Sequence, residues 1–219
     1  LKVSRRDFPL VIAEKMDGAT TVAGTMIAAD MAGIRLFVTG GIGGVHRGAG
    51  ESFDISADLE ELKRTNVTVI CAGVKSILDI GATLEYLETS GVPVISVGTE
   101  EFPAFYSRRS GFRTECALDD PKKIAEVIAM KNQLGLGGGI LIACPIPEEY
   151  EIPYEKMDKV IVQALRECKE QGVTGKRITP FLLDRVKQLT DGSSLEANIH
   201  LVLNNAKIGT EIAVSLFNR

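Results

Sequence analysis

A glycine-rich run with a single histidine is the first stretch of the sequence whose residue types suit chemistry. Residues 39–50 read Thr-Gly-Gly-Ile-Gly-Gly-Val-His-Arg-Gly-Ala-Gly. Glycines let backbone amides approach an anion closely, and Arg47 adds positive charge. The dinucleotide fingerprint G-x-G-x-x-G is not met, because His46 occupies the sixth position counted from Gly41. We therefore expect a ligand-binding loop here in preference to a flexible turn.

A lysine follows an apolar run at residues 69–74. The run reads Val-Ile-Cys-Ala-Gly-Val and leads directly into Lys75. It departs from an ATP-binding P-loop, since Val74 stands where that motif requires a glycine. A lysine just past a buried strand loses solvation, which lowers its pKa and frees the amine to attack carbon. The alternative is a surface lysine whose ammonium group stays in water.

Two aspartates flank the predicted start of a helix near residue 57. Ser56 suits the N-cap position, and Glu60 or Glu61 can close a capping interaction. Asp54 and Asp58 then serve only to favour the positive end of the helix. Alternatively, the helix-start amides hold a phosphate, and a carboxylate holds Mg²⁺ or Mn²⁺ through waters. The spacing alone leaves both interpretations open.

These stretches lie at the ends of elements that alternate between helix and strand. Short strands are predicted at residues 34–38, 67–70, 92–97 and 140–143, and helices at residues 19–32, 59–65, 83–89 and 121–134. Glycine caps and glycine-rich turns separate them, which is typical of an α/β fold with a largely parallel sheet flanked by helices. In such a sheet, ligands bind beyond the carboxyl ends of the strands.

The C-terminal third is predicted to be helical. Helices are expected at residues 154–171, 179–190 and 195–216, with Thr179 and Pro180 as a cap and first-turn pair. No clear linker or low-complexity segment separates this part from the rest. We therefore predict a single domain over residues 1–219.

Composition narrows the function classes. The 219 residues are 45% hydrophobic and 25% charged, as in ordinary soluble globular proteins. No apolar run approaches the ~18–20 residues of a membrane span, so an integral membrane protein is not expected. The net charge of −4 and the lack of a long basic run argue against a nucleic-acid partner. Four scattered cysteines without a C-x-x-C pair favour reduced thiols in a cytoplasmic protein.

Three smaller features have a structural and a functional interpretation each. Lys2, Arg5 and Arg6 form a basic cluster that suits a solvated face, with a phosphate clamp as the alternative. Three asparagines, the first of them Asn198, interrupt the last helix, and one can face a ligand because buried asparagines need partners. His200 lies among apolar residues and is interpreted as structural.

Taken together, these stretches resemble the pseudouridine-5′-phosphate glycosidase family, also called indigoidine synthase A-like. The matching strings follow one another along nearly the whole chain. They lie at residues 2–7 (KVSRRD), 18–23 (GATTVA), 39–48 (TGGIGGVHRG), 54–59 (DISADL), 71–79 (CAGVKSILD), 84–89 (LEYLET), 102–105 (FPAF), 145–147 (PIP), 179–183 (TPFLL) and 204–206 (NNA).

The resemblance implies cleavage of the C–C glycosidic bond of pseudouridine 5′-phosphate to uracil and ribose 5-phosphate, reversibly and through a lysine Schiff base. It implies Lys75 as the nucleophile and Asp54 as a ligand of Mn²⁺ or another divalent cation. It also implies a homotrimer. Substrate contacts would fall on Lys2, Val22, Thr39, His46, Ser56, Ala57, Asp58 and Asn198.

One feature of the family lies outside this sequence. The family's proposed proton donor is a glutamate upstream of the string at residues 2–7, and the sequence begins at Leu1. We therefore expect a chain that lacks an N-terminal family segment and binds phosphate and metal yet turns over poorly. Two alternatives stay open: a sugar or nucleoside kinase, suggested by glycine loops in an α/β chain, and a truncated, non-catalytic metabolite-binding subunit.

Overall fold

A five-stranded parallel sheet forms the centre of the fold. The computed structural model describes residues 1–218, apart from the side chain of residue 176. The strands are β1 (Lys2–Val3), β2 (Ala19–Thr20), β3 (Leu36–Val38), β4 (Val45–His46), β5 (Thr68–Cys71), β6 (Leu78–Asp79), β7 (Val94–Val97), β8 (Ala117–Leu118) and β9 (Ile140–Ala143). The sheet has the order β3-β5-β9-β7-β8, and every neighbouring pair runs parallel. Two small ladders accompany it: parallel β1-β2 and antiparallel β4-β6.

Helices cover the sheet, as the predicted α/β class requires. They are α1 (Phe8–Ala13), α2 (Val22–Met31), α3 (Ala49–Ser52), α4 (Ala57–Arg64), α5 (Ile80–Thr89), α6 (Pro121–Gln133), α7 (Tyr154–Glu170), α8 (Ile178–Leu189) and α9 (Ser193–Phe217). Short 3₁₀ turns lie at Arg5–Asp7, Glu148–Tyr150 and Gly175–Arg177. The predicted fold class, including the helical C-terminal third, is confirmed.

The buried strand β9 shows how the core divides between the two faces. Its residues are all buried, as in a parallel sheet covered on both sides. Successive side chains of a strand point to opposite faces. Ile140 and Ile142 accordingly join an isoleucine-rich cluster with residues of α6 and α9. Leu141 and Ala143 join the larger cluster, which includes residues of α2, α4, α7 and α8.

Helix α9 lies close to the sheet because of one glycine. A Cβ atom on Gly209 would lie 2.6 Å from Val38 Cγ2 and 3.2 Å from Ile70 Cδ1. Only a residue without a side chain therefore allows the helix to approach β3 and β5 this closely. This approach brings the earlier turns of α9, with Asn198 and Asn205, to the carboxyl end of β3.

The predicted start of the helix at residues 19–32 is wrong. Ala19–Thr20 instead pairs with Lys2–Val3, because the N–H groups of Ala19 and Thr21 donate to backbone carbonyls near the start of the chain. Helix α2 begins at Val22, where the Thr21 hydroxyl caps it by accepting from the N–H of Gly24. Propensity favoured helix here, and a tertiary strand pairing overrode it.

Two other boundaries differ for local reasons. The strand predicted at residues 34–38 begins at Leu36, because Gly33 and Ile34 donate their N–H groups back to α2 and close that helix. Helix α5 begins at Ile80 rather than residue 83, because the Asp79 carboxylate accepts from a first-turn amide and caps it there.

The predicted cap of the helix at residues 179–190 is also wrong. Helix α8 begins at Ile178, directly after the 3₁₀ turn Gly175–Arg177. Thr179 and Pro180 therefore lie inside the first turn instead of bounding it. Proline remains compatible with that place, since its missing N–H would have no partner within the helix.

Two predictions from composition can be compared with the structure. No helix among residues 1–218 combines the length and the apolar character that a membrane crossing requires. The four cysteines are free thiols; Cys71, Cys144 and Cys168 are buried, and Cys116 is half-buried.

Candidate active site

The loops that follow β3 and β5 run side by side beyond the edge of the sheet. The N–H of Ala72 donates to the carbonyl of Gly40 (2.8 Å), and that of Ile42 donates to Gly73 (3.1 Å). The N–H of Lys75 then donates back to Ile42 (3.1 Å). Sheet-like pairing therefore continues past the strands and fixes the glycine-rich loop against the loop that carries Lys75.

The glycines of the first loop make room for neighbouring protein atoms. A Cβ on Gly43 would lie 2.2 Å from the Ser56 hydroxyl, and one on Gly44 would lie 2.4 Å from the Thr83 hydroxyl. Across the gap, Gly73 has a φ of +90°, and a Cβ there would lie 2.3 Å from the carbonyl of Pro103. These three glycines thus allow the loops to pack closely against neighbouring segments.

Four amides of this loop are committed to the protein. Ile42 donates to Gly73, and Gly43 donates to the Asp58 carboxylate. Val45 donates to the Thr83 hydroxyl, and His46 donates to the carbonyl of Asp54. The sequence suggested that amides of this loop approach an anion. For these four residues the structure gives a different answer, since their N–H groups hold the loop in place.

Lys75 is half-buried at the centre of the site. Burial lowers the pKa of its ammonium group below the usual value for lysine. The negative charge of Asp58 opposes this shift, and the positive charge of Lys2 adds to it. A larger fraction of Lys75 is therefore the neutral amine, and only this form is a nucleophile. The alternative of a fully solvated surface lysine does not hold.

Asp58 is buried and joins two parts of the site. Its Oδ1 accepts from the N–H of Ala23 at the start of α2 (2.8 Å), and its Oδ2 accepts from the N–H of Gly43 (2.8 Å). Ser56 caps α4 by accepting from the N–H of Asp58, as predicted. Asp58 therefore fixes the glycine-rich loop relative to α2 while placing a negative charge near Lys75.

Asp54 and His46 form a pair on the wall of the cleft. His46 Nδ1 lies 3.8 Å from Asp54 Oδ2, and the Asp54 side chain is 42% exposed. Burial lowers the pKa of His46, although the nearby Asp54 carboxylate opposes this. Neutral imidazole and a carboxylate are both suitable metal ligands. Within residues 1–218, however, no three His, Cys, Asp or Glu side chains are grouped so as to hold a metal ion by themselves.

The two loops open onto a cleft of about 1340 Å³. The structure brings all the residues predicted for the site to its walls. They are Lys2, Val22, Thr39, His46, Asp54, Ser56, Ala57, Asp58, Lys75 and Asn198. The cleft therefore unites residues from six separate stretches of the chain, while their individual roles stay predictions.

The glutamates predicted to close a capping interaction have other partners. Glu61 is buried and accepts from Arg5 Nε (2.8 Å) and Nη2 (2.6 Å). Glu60 accepts from the Tyr86 hydroxyl, and this hydrogen bond lowers the pKa of Glu60. Arg5 is thus ion-paired to α4, whereas Arg6 is largely exposed at the rim of the cleft.

The residues of α9 divide between the cleft and the core. Asn198 lines the cleft, whereas Asn205 is buried and donates to the carbonyls of Thr39 (2.9 Å) and Gly40 (3.3 Å). Asn205 therefore supports the end of β3 from behind. His200 stacks on the ring of Tyr150 with centroids 3.3 Å apart, in line with its structural interpretation.

Sequence reasoning missed Thr83, which accepts from Val45 at the back of the glycine-rich loop, and the pairing of Arg5 with Glu61. Each contact joins residues far apart in the sequence, by 38 and 56 positions. A threonine in the first turn of an amphipathic helix carries no local signal of such a contact. Gly44 was the one sequence signal of this contact, because a residue without a side chain can indicate a close neighbour.

Fold and site together define a parallel α/β protein with a half-buried lysine and a buried aspartate at the carboxyl edge of its sheet. Such a lysine suits nucleophilic, imine-forming chemistry. The chain belongs to the family described as "Indigoidine synthase A like protein", whose model matches residues 1–215. The family predicted from the sequence strings is therefore confirmed.

Two named relatives and two solved structures are similar to this chain. A pseudouridine-5′-phosphate glycosidase of Clostridium botulinum is 59% identical over 99% of this chain and 70% of its own length. One of Geobacillus kaustophilus is 61% identical over 98% of this chain and 71% of its own. The crystal structure of the prealnumycin C-glycosynthase AlnA, in complex with ribulose 5-phosphate, superposes with a TM-score of 0.92 at 36% identity, covering 98% of this chain and 71% of that one. An indigoidine synthase A-like protein of Thermotoga maritima superposes with a TM-score of 0.91 at 38% identity, covering 99% and 71%.

Proposed function

We propose that this chain is a pseudouridine-5′-phosphate glycosidase, which cleaves the C–C bond between ribose and uracil and works in both directions. The observation that carries the proposal is Lys75, a half-buried lysine with a lowered pKa on the wall of a large cleft. Relatives about 60% identical carry this enzyme's name. A related structure holds a pentose phosphate, ribulose 5-phosphate, which is similar in size and charge to the proposed product.

The proposed chemistry explains why a lysine is needed. A C–C glycosidic bond has no bridging heteroatom, so the acid catalysis of ordinary glycosidases does not apply. In our proposal, the C1′–O4′ bond breaks as the ribose ring opens, O4′ takes a proton, and the neutral amine of Lys75 forms a bond to C1′ and then loses a proton. The nitrogen lone pair then forms an iminium as the C1′–C5 bond breaks, and the electron pair left on uracil C5 takes a proton from water. Water hydrolyses the iminium, which returns free Lys75 and releases ribose 5-phosphate.

The surrounding charges support this use of Lys75. Asp58 accepts two backbone N–H groups, which suits an ionised carboxylate close to the lysine. In our proposal, its negative charge stabilises the cationic iminium that Lys75 becomes. Lys2 lines the same cleft and supplies positive charge for the substrate phosphate. Binding the phosphate, which does not react, can supply energy for orienting the sugar.

We further propose that Asp54 holds a Mn²⁺ or similar divalent cation. Its carboxylate is half-exposed in the cleft, and His46 Nδ1 lies 3.8 Å from Oδ2. The lowered pKa of His46 favours the neutral ring that ligates metals. With this pair as ligands, waters would fill the other coordination positions. When bound, the metal would orient sugar oxygens through those waters.

A direct assay separates the glycosidase from the two alternatives. We expect the purified chain to release uracil from pseudouridine 5′-phosphate slowly with Mn²⁺ present, and Lys75→Arg to release none. Thermal stabilisation by ATP, with no uracil released, would favour a kinase. Binding of ribose 5-phosphate without turnover in either direction would favour a non-catalytic metabolite-binding subunit. The family membership favours the glycosidase over the kinase.

The quaternary structure belongs to the same proposal. We propose a homotrimer, as the family resemblance implies. Large apolar side chains such as Met31 (81% exposed) and Phe53 (83% exposed) are candidates for burial between subunits. Sedimentation equilibrium of the purified chain tests this, since a trimer has three times the mass of the 23.6 kDa protomer. A mass equal to that of one protomer would contradict it.

A further inference from the structure

Thr83 lies fully buried behind the glycine-rich loop, at the first turns of α5. We propose that Thr83 is a positioning residue for the candidate active site: its hydroxyl fixes the strand that carries His46 relative to the turn that carries Lys75. The inference rests on the proposed function, because it assigns a task within that same site. Unlike the residues predicted for the site, Thr83 does not line the cleft.

The hydroxyl of Thr83 has a defined direction. It lies 2.6 Å from the carbonyl of Asp79 and 2.9 Å from the backbone nitrogen of Val45. A carbonyl can only accept, so the single hydroxyl proton goes to Asp79. A lone pair is then left for the N–H of Val45. The buried Thr83 hydroxyl thus connects two backbone segments, because it donates to Asp79 and accepts from Val45.

The two bridged segments are partners in one ladder. Val45 pairs with Asp79, and His46 pairs with Leu78, in the antiparallel β4-β6 sheet. Each of these strands has only two residues, so the ladder is short and needs support from outside. Thr83 supplies that support by bonding to both members of the Val45–Asp79 pair.

The ladder connects directly to the reacting groups. The N–H of Leu78 donates to the carbonyl of Lys75 (3.0 Å), so β6 closes the turn on which Lys75 lies. His46 is the other end of the ladder, and its side chain lines the cleft. A shift of β4 relative to β6 would therefore move His46 with respect to Lys75.

The residue at position 44 is matched to this contact. A Cβ on Gly44 would lie 2.4 Å from the Thr83 hydroxyl and 3.0 Å from its methyl carbon. The loop can approach Thr83 only because residue 44 has no side chain. The N–H of Gly43 is held from the other side by Asp58, so the loop is fixed between two acceptors.

Borohydride trapping with ribose 5-phosphate tests the proposal. Thr83→Val keeps the shape of the side chain but removes the hydroxyl, whereas Thr83→Ser keeps the hydroxyl. We expect Thr83→Val to lower the maximal rate of adduct formation about 10- to 100-fold, as small misplacements of reacting groups do. The maximal rate of Thr83→Ser should stay within about threefold of the wild-type rate. The half-saturating concentration of ribose 5-phosphate should stay within about threefold of wild type in both variants, because the phosphate contacts are elsewhere. Wild-type rates in Thr83→Val would overturn the proposal.

Two controls separate this result from a general loss of stability. Thr68→Val removes a buried hydroxyl from the start of β5, away from the loops, and should trap at the wild-type rate. Thr83→Ala offers a second hydroxyl-free variant that cannot overfill the site, should Thr83→Val fail to fold. A similar loss in Thr68→Val, or wild-type trapping in Thr83→Ala, would count against a specific task for Thr83.

Hydrogen exchange distinguishes failure of this proposal from failure of the proposed function. The amide of Val45 should exchange at least about tenfold faster in Thr83→Val than in wild type or Thr83→Ser, because its acceptor is gone. If wild-type protein forms no adduct at all, the glycosidase proposal fails, and the exchange result still decides whether Thr83 holds β4. Unchanged exchange of Val45 would overturn the positioning proposal whatever the adduct assay shows.

Discussion

Asp58→Asn is the substitution that separates charge from size in the candidate active site. In the wild-type protein, Oδ1 accepts the N–H of Ala23 and Oδ2 accepts the N–H of Gly43, both at 2.8 Å. An asparagine has one acceptor oxygen, so its NH₂ group must face one of these two donors. The substitution therefore removes one charge-assisted hydrogen bond and leaves one buried amide without an acceptor.

The size of the effect follows from these two bonds. A hydrogen bond to a charged group contributes about 1.5–3 kcal/mol, and an unsatisfied buried donor costs about as much. Only 4% of Asp58 is exposed, so water cannot replace the lost partner. We expect the free energy of unfolding to fall by about 2–3 kcal/mol. In a chain of 219 residues, this corresponds to a melting temperature lower by about 4–12 °C.

Urea denaturation and thermal unfolding measure this loss. Asp119→Asn is a matched control, since Asp119 is exposed and the same chemical change there should alter the free energy of unfolding by less than about 0.5 kcal/mol. If Asp58→Asn is as stable as Asp119→Asn, the carboxylate does not hold α2 and the glycine-rich loop together.

Four further predictions concern charge and positioning in the cleft. The positive charge of Lys2 lowers the pKa of Lys75, so Lys2→Met should raise that pKa. Adduct formation needs the neutral amine, so its increase with pH should occur at a higher pH than in wild type. Asp58→Asn should shift the same pH profile downward, because its charge raises that pKa; a common direction for both variants would contradict the electrostatic account. Asp54→Asn should weaken Mn²⁺ binding by at least about tenfold in calorimetry, as loss of a ligating carboxylate does, and unchanged affinity would place the metal elsewhere. Thr83→Val should slow adduct formation while Thr83→Ser does not, as set out above.

Much of the fold could be predicted from local patterns. The strand at residues 140–143 agrees with β9 at both ends, because its apolar run is bounded by Gly139 on one side and Cys144-Pro145 on the other. Glycine caps likewise indicated where helices end, as at Gly33 and Gly91. The errors fell where tertiary contacts decide the conformation. Ala19–Thr20 became a strand only because Lys2–Val3 lies beside it.

The sequence allowed the prediction that the site residues lie together, because parallel strands bring their carboxyl ends to one edge of the sheet. That rule places the loop after β3 and Lys75 after β5 together, because the two strands are neighbours. The partner of each group was not predictable. The sequence suggested that the glycine loop offers its amides to an anion, yet Gly43 and Val45 give theirs to Asp58 and Thr83. Such long-range pairings leave no periodic trace in a single sequence.

Borohydride trapping of the covalent adduct determines whether Lys75 forms a Schiff base with the sugar phosphate. The protein is incubated with ribose 5-phosphate and Mn²⁺, reduced with borohydride, digested and analysed by mass spectrometry. We expect a reduced ribose 5-phosphate adduct on the peptide that contains Lys75, and no adduct in Lys75→Arg. An adduct confined to another lysine, or none on wild-type protein that binds the sugar phosphate, would contradict it.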